Sequence, residues 1–281
     1  MSETIAVIMP AYKAQDTIGP SVASVLAQTY PHWQLLIVSD DGTDYAELLG
    51  RQGIADPRIV QLSSGTVGGG ASAARNLALE ASTASYAAIL DADDRFKPEK
   101  LALAMAALSD HAIVTTALDV MTDSFAHLRH VAAGPDRLVQ AGAHKWLNLS
   151  MDSMVIWDRR RTDGRYNTTL SNMTDLELLL QLYRAVPVSY HLGTPLHDYV
   201  KRASSMSNGA NVAAGMIASK TAILGRVEAG YYGLPDEDAA GLARFLRISL
   251  EAEKLYGDAL AAKPGLLFED HLQPMLADAA A

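Results

Sequence analysis

Short apolar runs alternate with amphipathic stretches over the first third of the chain. The apolar runs have the length and composition of buried strands, and they occupy residues 5–10, 34–39, 58–62 and 86–90. The stretches between them repeat apolar positions at helical spacing, at residues 18–28, 44–52 and 71–81. Strands of a parallel sheet are covered on both faces and therefore read as continuous apolar runs. The alternation predicts an α/β fold with a mostly parallel sheet flanked by helices.

The rest of the chain has a weaker pattern. Its predicted elements are a helix, a strand, a second helix opened by Asp175 and two short strands, at residues 98–109, 112–117, 176–184, 188–191 and 196–201. Between them, residues 119–172 have little periodicity, and we expect irregular strands and loops there. Helical spacing returns over residues 213–232 and 236–260. This predicts a C-terminal helical appendage over 208–281 that packs on the α/β body or mediates self-association.

Several polar side chains lie where the predicted strands end. Tyr12 follows the first strand, Asp40 and Asp41 follow the second, and the acidic cluster at residues 91–94 follows the fourth. In open α/β sheets ligands bind outside the carboxyl ends of the strands. The coincidence predicts a binding cleft at this edge.

The acidic cluster contains Asp91, Asp93 and Asp94 within four residues. Carboxylates held this close repel one another unless a cation lies between them. Oxygen ligands suit Mg²⁺ or Mn²⁺, which usually bind one or two carboxylates together with substrate phosphates. The alternative is a solvated turn in which Asp94 caps the helix that starts near Pro98. The residues alone leave both interpretations open.

A glycine run, residues 68–70, precedes the third predicted helix. It could present backbone N–H groups to a phosphate. It lacks the ending of a phosphate-binding loop and the spacing of a dinucleotide fingerprint. Taken alone, a flexible loop before a capped helix is the favoured interpretation.

The composition of the chain argues against several classes of protein and of binding site. The chain has 281 residues with a net charge of −9, which argues against a nucleic-acid-binding protein. It has no cysteine, so disulfides and thiolate metal sites are excluded. No apolar run approaches the roughly 18 residues of a membrane span, and the first four residues do not resemble a secretory signal. We expect a cytoplasmic protein, with transient contact to the inner membrane surface left open.

Five motifs in order resemble those of family 2 glycosyltransferases with a GT-A fold. They are Pro10-Ala-Tyr12, Ser24-Val-Leu-Ala-Gln-Thr-Tyr-Pro31, Asp40-Asp-Gly42, Ala74-Arg-Asn76 and Asp91-Ala-Asp-Asp94. The match is dense over the first 100 residues and thin to about Ser207. The resemblance implies a Rossmann-like catalytic domain over 1–207, with a nucleotide-sugar-binding part over 1–118 and an acceptor-binding part over 119–207. It also implies an inverting, non-processive enzyme.

The resemblance assigns the donor-binding residues. Tyr12, in the motif that Pro10 opens, corresponds to the aromatic residue that stacks on the nucleotide base. Asp40 and Asp41 correspond to the acidic pair whose carboxylate accepts a hydrogen bond from uracil. The loop after them is one residue shorter than is usual in the family, and we favour Asp41 for the base contact. Arg75 corresponds to an arginine near the nucleotide, with a helix-surface arginine as the alternative.

The resemblance also assigns the metal and the diphosphate contacts. Asp91 corresponds to the residue that contacts ribose and Asp93 to the metal ligand, with Asp91 as a further candidate ligand. A Mn²⁺ or Mg²⁺ ion would bridge the two donor phosphates. Lys201 and Arg202 could neutralise phosphate charge, with a solvated strand edge as the equal alternative.

Inverting transfer requires a general base at the acceptor hydroxyl. Asp175 corresponds to the family's base, and Thr174 stands where the family usually has glutamate. Glu177 is the second candidate. The expected partners are a UDP-sugar donor and a saccharide or lipid-linked acceptor, with a homo-oligomer left open. The alternatives are a degenerate protein that binds a nucleotide-sugar without turnover and a nucleotidyltransferase, which would need a basic, glycine-rich loop after the first strand.

Overall fold

The computed structural model of the protein describes residues 3–147, 151–201 and 212–280. The first half alternates strands and helices as the pattern predicts. Its elements are β1 (Ile5–Ala11), α1 (Ile18–Leu26), β2 (Trp33–Ser39), α2 (Tyr45–Arg51), β3 (Ile59–Ser63), α3 (Ala71–Ala81), β4 (Tyr86–Ile89), β5 (Arg95–Phe96) and α4 (Lys100–Leu108). Each of the four apolar runs is a strand.

The second half contains more strand than its weak periodicity indicates. Its elements are β6 (Ile113–Thr122), β7 (His127–Val131), β8 (Arg137–Gln140), β9 (Val155–Asp158), α5 (Thr174–Tyr183), β10 (Val188–Lys201), α6 (Val212–Glu228), α7 (Asp236–Ala262) and α8 (Phe268–Ala280). Among the described residues no helix combines the length and the apolar character that crossing a membrane requires.

One mixed sheet runs through the molecule in the order β3-β2-β1-β4-β9-β6-β10-β5, with β7 on β6 and β8 on β10. β1 is parallel to both β2 and β4, and β3 is parallel to β2. β9 lies antiparallel between β4 and β6, and β10 is parallel to β6. The parallel half brings the carboxyl ends of β1, β2 and β4 to one edge, as expected for an open α/β sheet.

The two short strands predicted at 188–191 and 196–201 are one continuous strand, β10. Its register against β6 shifts on both sides of Pro195, where a backbone N–H donor is missing. A Cβ on Gly193 would lie 1.8 Å from the carbonyl oxygen of Gly134, so another backbone segment presses against the strand there. Because of this irregularity, one long strand has the sequence pattern of two short strands.

Alternating side chains of the strands supply two apolar cores, one on each face of the sheet. The face shared by Ile5, Val7 and Met9 packs against α1, α2 and α4. The opposite face, with Ala6 and Ile8, packs against α3 and α5 and continues into α6, α7 and α8. The C-terminal helices therefore share a core with the α/β body, which is the first of the two arrangements predicted for them.

A buried carboxylate ties α5 to these C-terminal helices. The Glu177 side chain is 2% exposed and accepts hydrogen bonds from Arg226 Nη1 at 3.1 Å, Tyr232 Oη at 3.4 Å and Gln181 Nε2 at 2.6 Å. An ionised carboxylate in the interior needs such partners to offset its lost hydration. Glu177 is thus a structural link between the α/β body and the C-terminal helices.

We expect Glu177→Ala to lower the free energy of unfolding by roughly 2–4 kcal/mol, because it leaves Arg226 and Tyr232 without their acceptor. The matched control is Glu47→Ala, which breaks an exposed pair with Arg51 on α2 and should cost roughly 0–1 kcal/mol. Urea denaturation of both variants measures the difference. Equal, small effects would show that the link to α6 contributes little.

Candidate functional site

A cavity of about 920 Å³ opens at the carboxyl ends of β1, β2 and β4. Six of the predicted site residues line it, namely Pro10, Tyr12, Asp40, Arg75, Asp91 and Asp93. Much of the remaining wall is formed by the glycine run and by four residues from later in the chain, Ser171, Thr174, Tyr199 and Val200. The predicted cleft is therefore present where the strands end, and residues from distant parts of the chain meet in it.

Tyr12 presents an exposed ring to this cavity. Its side chain projects from the end of β1 and the residue is 48% exposed. Lys13 Nζ lies 5.1 Å from the ring centroid, and a Cβ on Gly68 would be in ordinary contact with Cε2, 4.0 Å away. An exposed aromatic face beside a cavity can stack on a planar heterocycle.

Asp40 is buried and holds the glycine run. Its carboxylate accepts hydrogen bonds from the backbone N–H groups of Gly69 at 3.0 Å and Gly70 at 2.9 Å, and its carbonyl accepts one from Gly68. A Cβ on Gly69 would lie 2.8 Å from Thr66 Oγ1, so a side chain has little room there. Two N–H groups that could have faced a phosphate are instead used to fix the loop against Asp40.

Asp41 organises the loop that follows β1. Burial alone would raise the pKa of Asp41, but hydrogen bonds from the backbone N–H groups of Thr43 and Lys13 and from the Tyr45 hydroxyl lower it to about 2. Tyr45 Oη in turn accepts the Ala14 N–H. Among the described residues that line the cavity, Asp40 is present and Asp41 is not. The base contact favoured for Asp41 stays a prediction, and the geometry places Asp40 nearer the cavity.

This contact pattern predicts a pH-dependent loss of stability in Asp41→Asn. The folded pKa of about 2 lies below the ordinary 3.8, so the ionised carboxylate stabilises the fold above pH 4 and this contribution disappears as pH falls towards 2. We expect Asp41→Asn to lower the free energy of unfolding by about 1–2 kcal/mol at pH 7, and the gap from wild type to close between pH 4 and 2. Denaturation across this range tests it, with Asp258→Asn on exposed α7 surface as the control that should show no gap.

Arg75 is buried between two carboxylates. Its Nη2 lies 2.5 Å from Asp91 Oδ1 and its Nη1 lies 3.1 Å from Asp152 Oδ2. Burial lowers the pKa of Arg75, but the charges of Asp152 and Asp91 outweigh it and hold the pKa well above its ordinary value. The alternative of a helix-surface arginine is therefore wrong. Arg75 fixes the first carboxylate of the acidic cluster.

The neighbouring Asn76 joins α3 to the segment around Tyr166. Its amide makes two hydrogen bonds with the backbone of Tyr166, at 2.8 and 2.7 Å. Tyr166 Oη then donates to Asp152 at 3.0 Å, beside the guanidinium of Arg75. The Ala-Arg-Asn motif thus connects α3 to the segment carrying Asp152 and Tyr166.

Asp152 is a site residue that the sequence reasoning missed. Burial, helped by the charges of Asp91 and Asp175, raises the pKa of Asp152 above its ordinary value, although the charge of Arg75 opposes this. It lies in a single helical turn before β9, within a region of weak periodicity. An isolated aspartate before an apolar run carries no spacing signal, so only the fold reveals its place near the acidic cluster.

The three carboxylates of the acidic cluster have different surroundings. Asp91 and Asp93 line the cavity. Asp94 is buried, shares a hydrogen bond of 3.1 Å with His197 Nε2 and accepts one from the Val200 N–H at 2.8 Å. Burial and the neighbouring Asp91 raise the pKa of Asp94 well above its ordinary value.

The predicted capping role of Asp94 is wrong. Helix α4 begins at Lys100, its N-cap is Glu99, and no side chain caps it. The intervening residues Arg95 and Phe96 form β5, which pairs with β10. Asp94 instead anchors β10 beside the cavity, and the remaining pair, Asp91 and Asp93, offers only oxygen donors. Such a donor set fits Mg²⁺ or Mn²⁺.

The two candidate bases on α5 are separated by the structure. Asp175 lies in the first turn, where Oδ1 accepts the Leu176 N–H at 2.8 Å, and the adjacent Thr174 lines the cavity. Glu177 faces Arg226 and Tyr232 of the C-terminal region. Neither carboxylate is among the residues that line the cavity, but Asp175 directly follows Thr174, which does line it, whereas Glu177 faces the C-terminal helices.

The two predicted phosphate contacts remain predictions. Lys201 is the last residue of β10, and among the described residues the cavity lining ends with Tyr199 and Val200. Arg202 lies outside the described residues.

Comparison with known proteins gives consistent results for sequence and structure. Residues 6–167 match the model of "Glycosyl transferase family 2". The chain is 31% identical over 200 residues to the putative teichuronic acid biosynthesis glycosyltransferase TuaG of Bacillus subtilis, covering 69% of this chain and 78% of that protein. It is 39% identical over 97 residues to WfgD of Escherichia coli, a UDP-Glc:α-D-GlcNAc-diphosphoundecaprenol β-1,3-glucosyltransferase, covering 34% of this chain and only 38% of that one.

The fold has solved counterparts. The structure of residues 1–349 of S. aureus TarS in complex with UDP-GlcNAc superposes with a TM-score of 0.69 at 16% identity, covering 98% of this chain and 79% of that one. At this identity the likeness concerns the fold.

Proposed function

This chain belongs to glycosyl transferase family 2, and we propose that it is an inverting, metal-dependent enzyme that moves one sugar from a UDP-sugar to an acceptor hydroxyl. The observation that carries the proposal is the meeting of Tyr12, Asp40, Arg75, Asp91 and Asp93 in one cavity at the strand ends. An aromatic face suits a nucleotide base, and the carboxylates Asp91 and Asp93, the first held by Arg75, suit a divalent ion that binds a diphosphate.

The donor assignment rests on the chemistry of the cavity. The Tyr12 ring can stack on a base, and Asp40 or Asp41 can accept the ring N–H of uracil. WfgD is named for UDP-Glc and the TarS structure holds UDP-GlcNAc. Both support a UDP-linked donor here.

Asp93, assisted by Asp91, would hold the divalent metal. Their donors are oxygen only and both line the cavity, while Asp94 is committed to His197 and Val200. A bound Mg²⁺ or Mn²⁺ would stabilise the negative charge that develops on the departing diphosphate. Arg75 holds Asp91 in place at 2.5 Å, so the geometry of the pair is set before the donor arrives.

The transfer step needs a base on the acceptor side. In our proposal the acceptor oxygen forms a bond to the anomeric carbon and the bond from that carbon to the diphosphate breaks. The diphosphate leaves with the bonding electron pair, and Asp175 takes the acceptor proton. Lys201 and Arg202 would reduce the charge of the leaving group.

The acceptor is proposed to be a saccharide or a lipid-linked saccharide in cell-surface polysaccharide or glycolipid assembly. TuaG is named for teichuronic acid biosynthesis, and WfgD for a GlcNAc-diphosphoundecaprenol acceptor. Such an acceptor would bring the protein to the cytoplasmic face of a membrane, where transient surface contact suffices.

The first test is thermal stability with UDP, GDP, CDP and dTDP, each with and without Mn²⁺. A ligand that binds only the folded state raises the melting temperature by mass action. We expect UDP with Mn²⁺ to give the largest rise. Stabilisation by none of the four would contradict the proposal.

The second test is turnover. UDP-Glc and UDP-GlcNAc are offered with a GlcNAc-diphospholipid acceptor, and product is detected by mass spectrometry. Tight UDP-sugar binding with neither transfer nor hydrolysis would favour the degenerate binding protein. Pyrophosphate release from UTP and a sugar phosphate would favour the nucleotidyltransferase.

A further inference from the structure

A second group of possible ligands lies on the β6–β7 hairpin, apart from the donor cavity. Asp119 on β6 is the register partner of His130 on β7. His127 Nε2 lies 3.1 Å from Asp119 Oδ1, and His130 Nδ1 contacts the same oxygen. The three ligand atoms lie within 4.8 Å of one another. In residues 3–147, 151–201 and 212–280 no other group of three or more His, Cys, Asp or Glu side chains meets this spacing.

We propose that Asp119, His127 and His130 form a binding site for a divalent transition-metal ion of the zinc class. Two imidazole nitrogens and one carboxylate oxygen are a donor set that such ions prefer, whereas Mg²⁺ prefers oxygen alone. Three protein ligands leave at least one coordination position for water or a further ligand. The site is thereby chemically distinct from the pair formed by Asp91 and Asp93, and it is independent of the proposed function.

Contacts with Lys97 fix the position of the Asp119 carboxylate. Lys97 Nζ contacts the second oxygen of Asp119 and lies 3.7 Å from Asp198 Oδ1. The side chain of Asp119 is 9% exposed, while those of His127 and His130 are 43% and 57% exposed. Metal-binding carboxylates in proteins are commonly held in place by hydrogen bonds from neighbouring residues. Lys97 fixes Asp119 in this way, and the two imidazoles beside it are accessible.

The β6–β7 hairpin lies against the segment that follows the acidic cluster, which indicates a structural effect for the bound ion. The turn residue Phe125 lies against Arg95, whose guanidinium carbon is 3.4 Å from the ring centroid. Arg95 follows the acidic cluster directly, in β5. None of the three proposed ligands is among the residues that line the donor cavity. A bound ion would clamp β7 onto β6 and so fix the hairpin against the segment after Asp94.

Metal binding to untagged protein tests the site. Tag-free, chelator-treated protein is titrated with Co²⁺ followed by visible absorption, and with Zn²⁺ followed by calorimetry. The variants are His127→Gln/His130→Gln and Asp119→Asn, with Asp93→Asn and His32→Gln as controls, since His32 is an exposed histidine outside the group. Melting temperatures without metal establish that each variant is folded.

We expect one Zn²⁺ or Co²⁺ per chain in wild type, Asp93→Asn and His32→Gln, and at least tenfold weaker binding in the double variant and in Asp119→Asn. Added Zn²⁺ should raise the melting temperature only where the group is intact. If the double variant is unstable, the single His127→Gln change gives the same comparison. Unchanged affinity in the ligand variants, or its loss in Asp93→Asn, would overturn the proposal.

Discussion

Asp93→Asn is expected to reduce the rate of sugar transfer at least about 1,000-fold while the protein stays folded. Asp93 lines the cavity with Asp91 at the end of β4, where a divalent ion would meet the diphosphate. A lost metal contact costs several kcal/mol of transition-state stabilisation, and each 1.36 kcal/mol is a factor of ten in rate. Asparagine keeps the size of the side chain but removes its charge.

The measurement combines turnover with the melting temperature under UDP and Mn²⁺. In Asp93→Asn, the extra stabilisation that Mn²⁺ gives to the UDP complex should disappear, and UDP alone should still bind. Asp258→Asn, an exposed aspartate on α7, should retain full activity. Wild-type turnover in Asp93→Asn would refute the assignment of the metal to this carboxylate.

The architecture could be predicted from the sequence because buried parallel strands leave a simple signal. The four apolar runs are β1 to β4, and the carboxyl ends of β1, β2 and β4 form the cavity edge. The helix predicted over residues 71–81 has those exact bounds. The family 2 resemblance and the GT-A fold are confirmed by the match over residues 6–167 and by the structural likeness to TarS.

Within residues 119–172, where only irregular strands and loops were expected, β7, β8 and β9 could not be placed because they have no distinct signal of their own. β9 has only four residues, all buried, and it enters the sheet between β4 and β6. A run this short does not distinguish a central strand from a segment of buried helix. The position of Asp152, just before β9, could not be predicted for the same reason. Its partner Arg75 is 77 residues away in the sequence, and the two side chains meet only because the sheet brings their segments together.

The roles of neighbouring carboxylates were equally hidden. Asp40 and Asp41 are adjacent, yet one fixes the glycine run and the other fixes the loop after β1. Asp93 and Asp94 are adjacent, yet only Asp93 lines the cavity. Successive residues in extended or turn backbone point in different directions. A motif therefore identifies which carboxylates belong to a site, but the role of each one becomes visible only in the structure.

Asp175→Asn is expected to lower kcat by roughly 100- to 10,000-fold, the contribution typical of a general base. Donor binding should change little, because the pocket formed by Tyr12, Asp40 and Arg75 is left intact. The KM for the UDP-sugar and the stabilisation by UDP with Mn²⁺ should therefore stay near wild type. This separates Asp175 from Asp93, whose replacement affects the metal-dependent complex itself.

Glu177→Gln provides the matched comparison on the same helix. Glu177 is buried against Arg226 and Tyr232, so its replacement should lower stability while leaving kcat per folded molecule within about threefold of wild type, far from the loss expected for a general base. Steady-state kinetics well below the melting temperature distinguish the two effects. If Asp175→Asn keeps its kcat and Glu177→Gln loses activity in the folded state, the base has been assigned to the wrong carboxylate. The expected opposite result would place proton removal at the first turn of α5, next to Thr174 at the cavity wall.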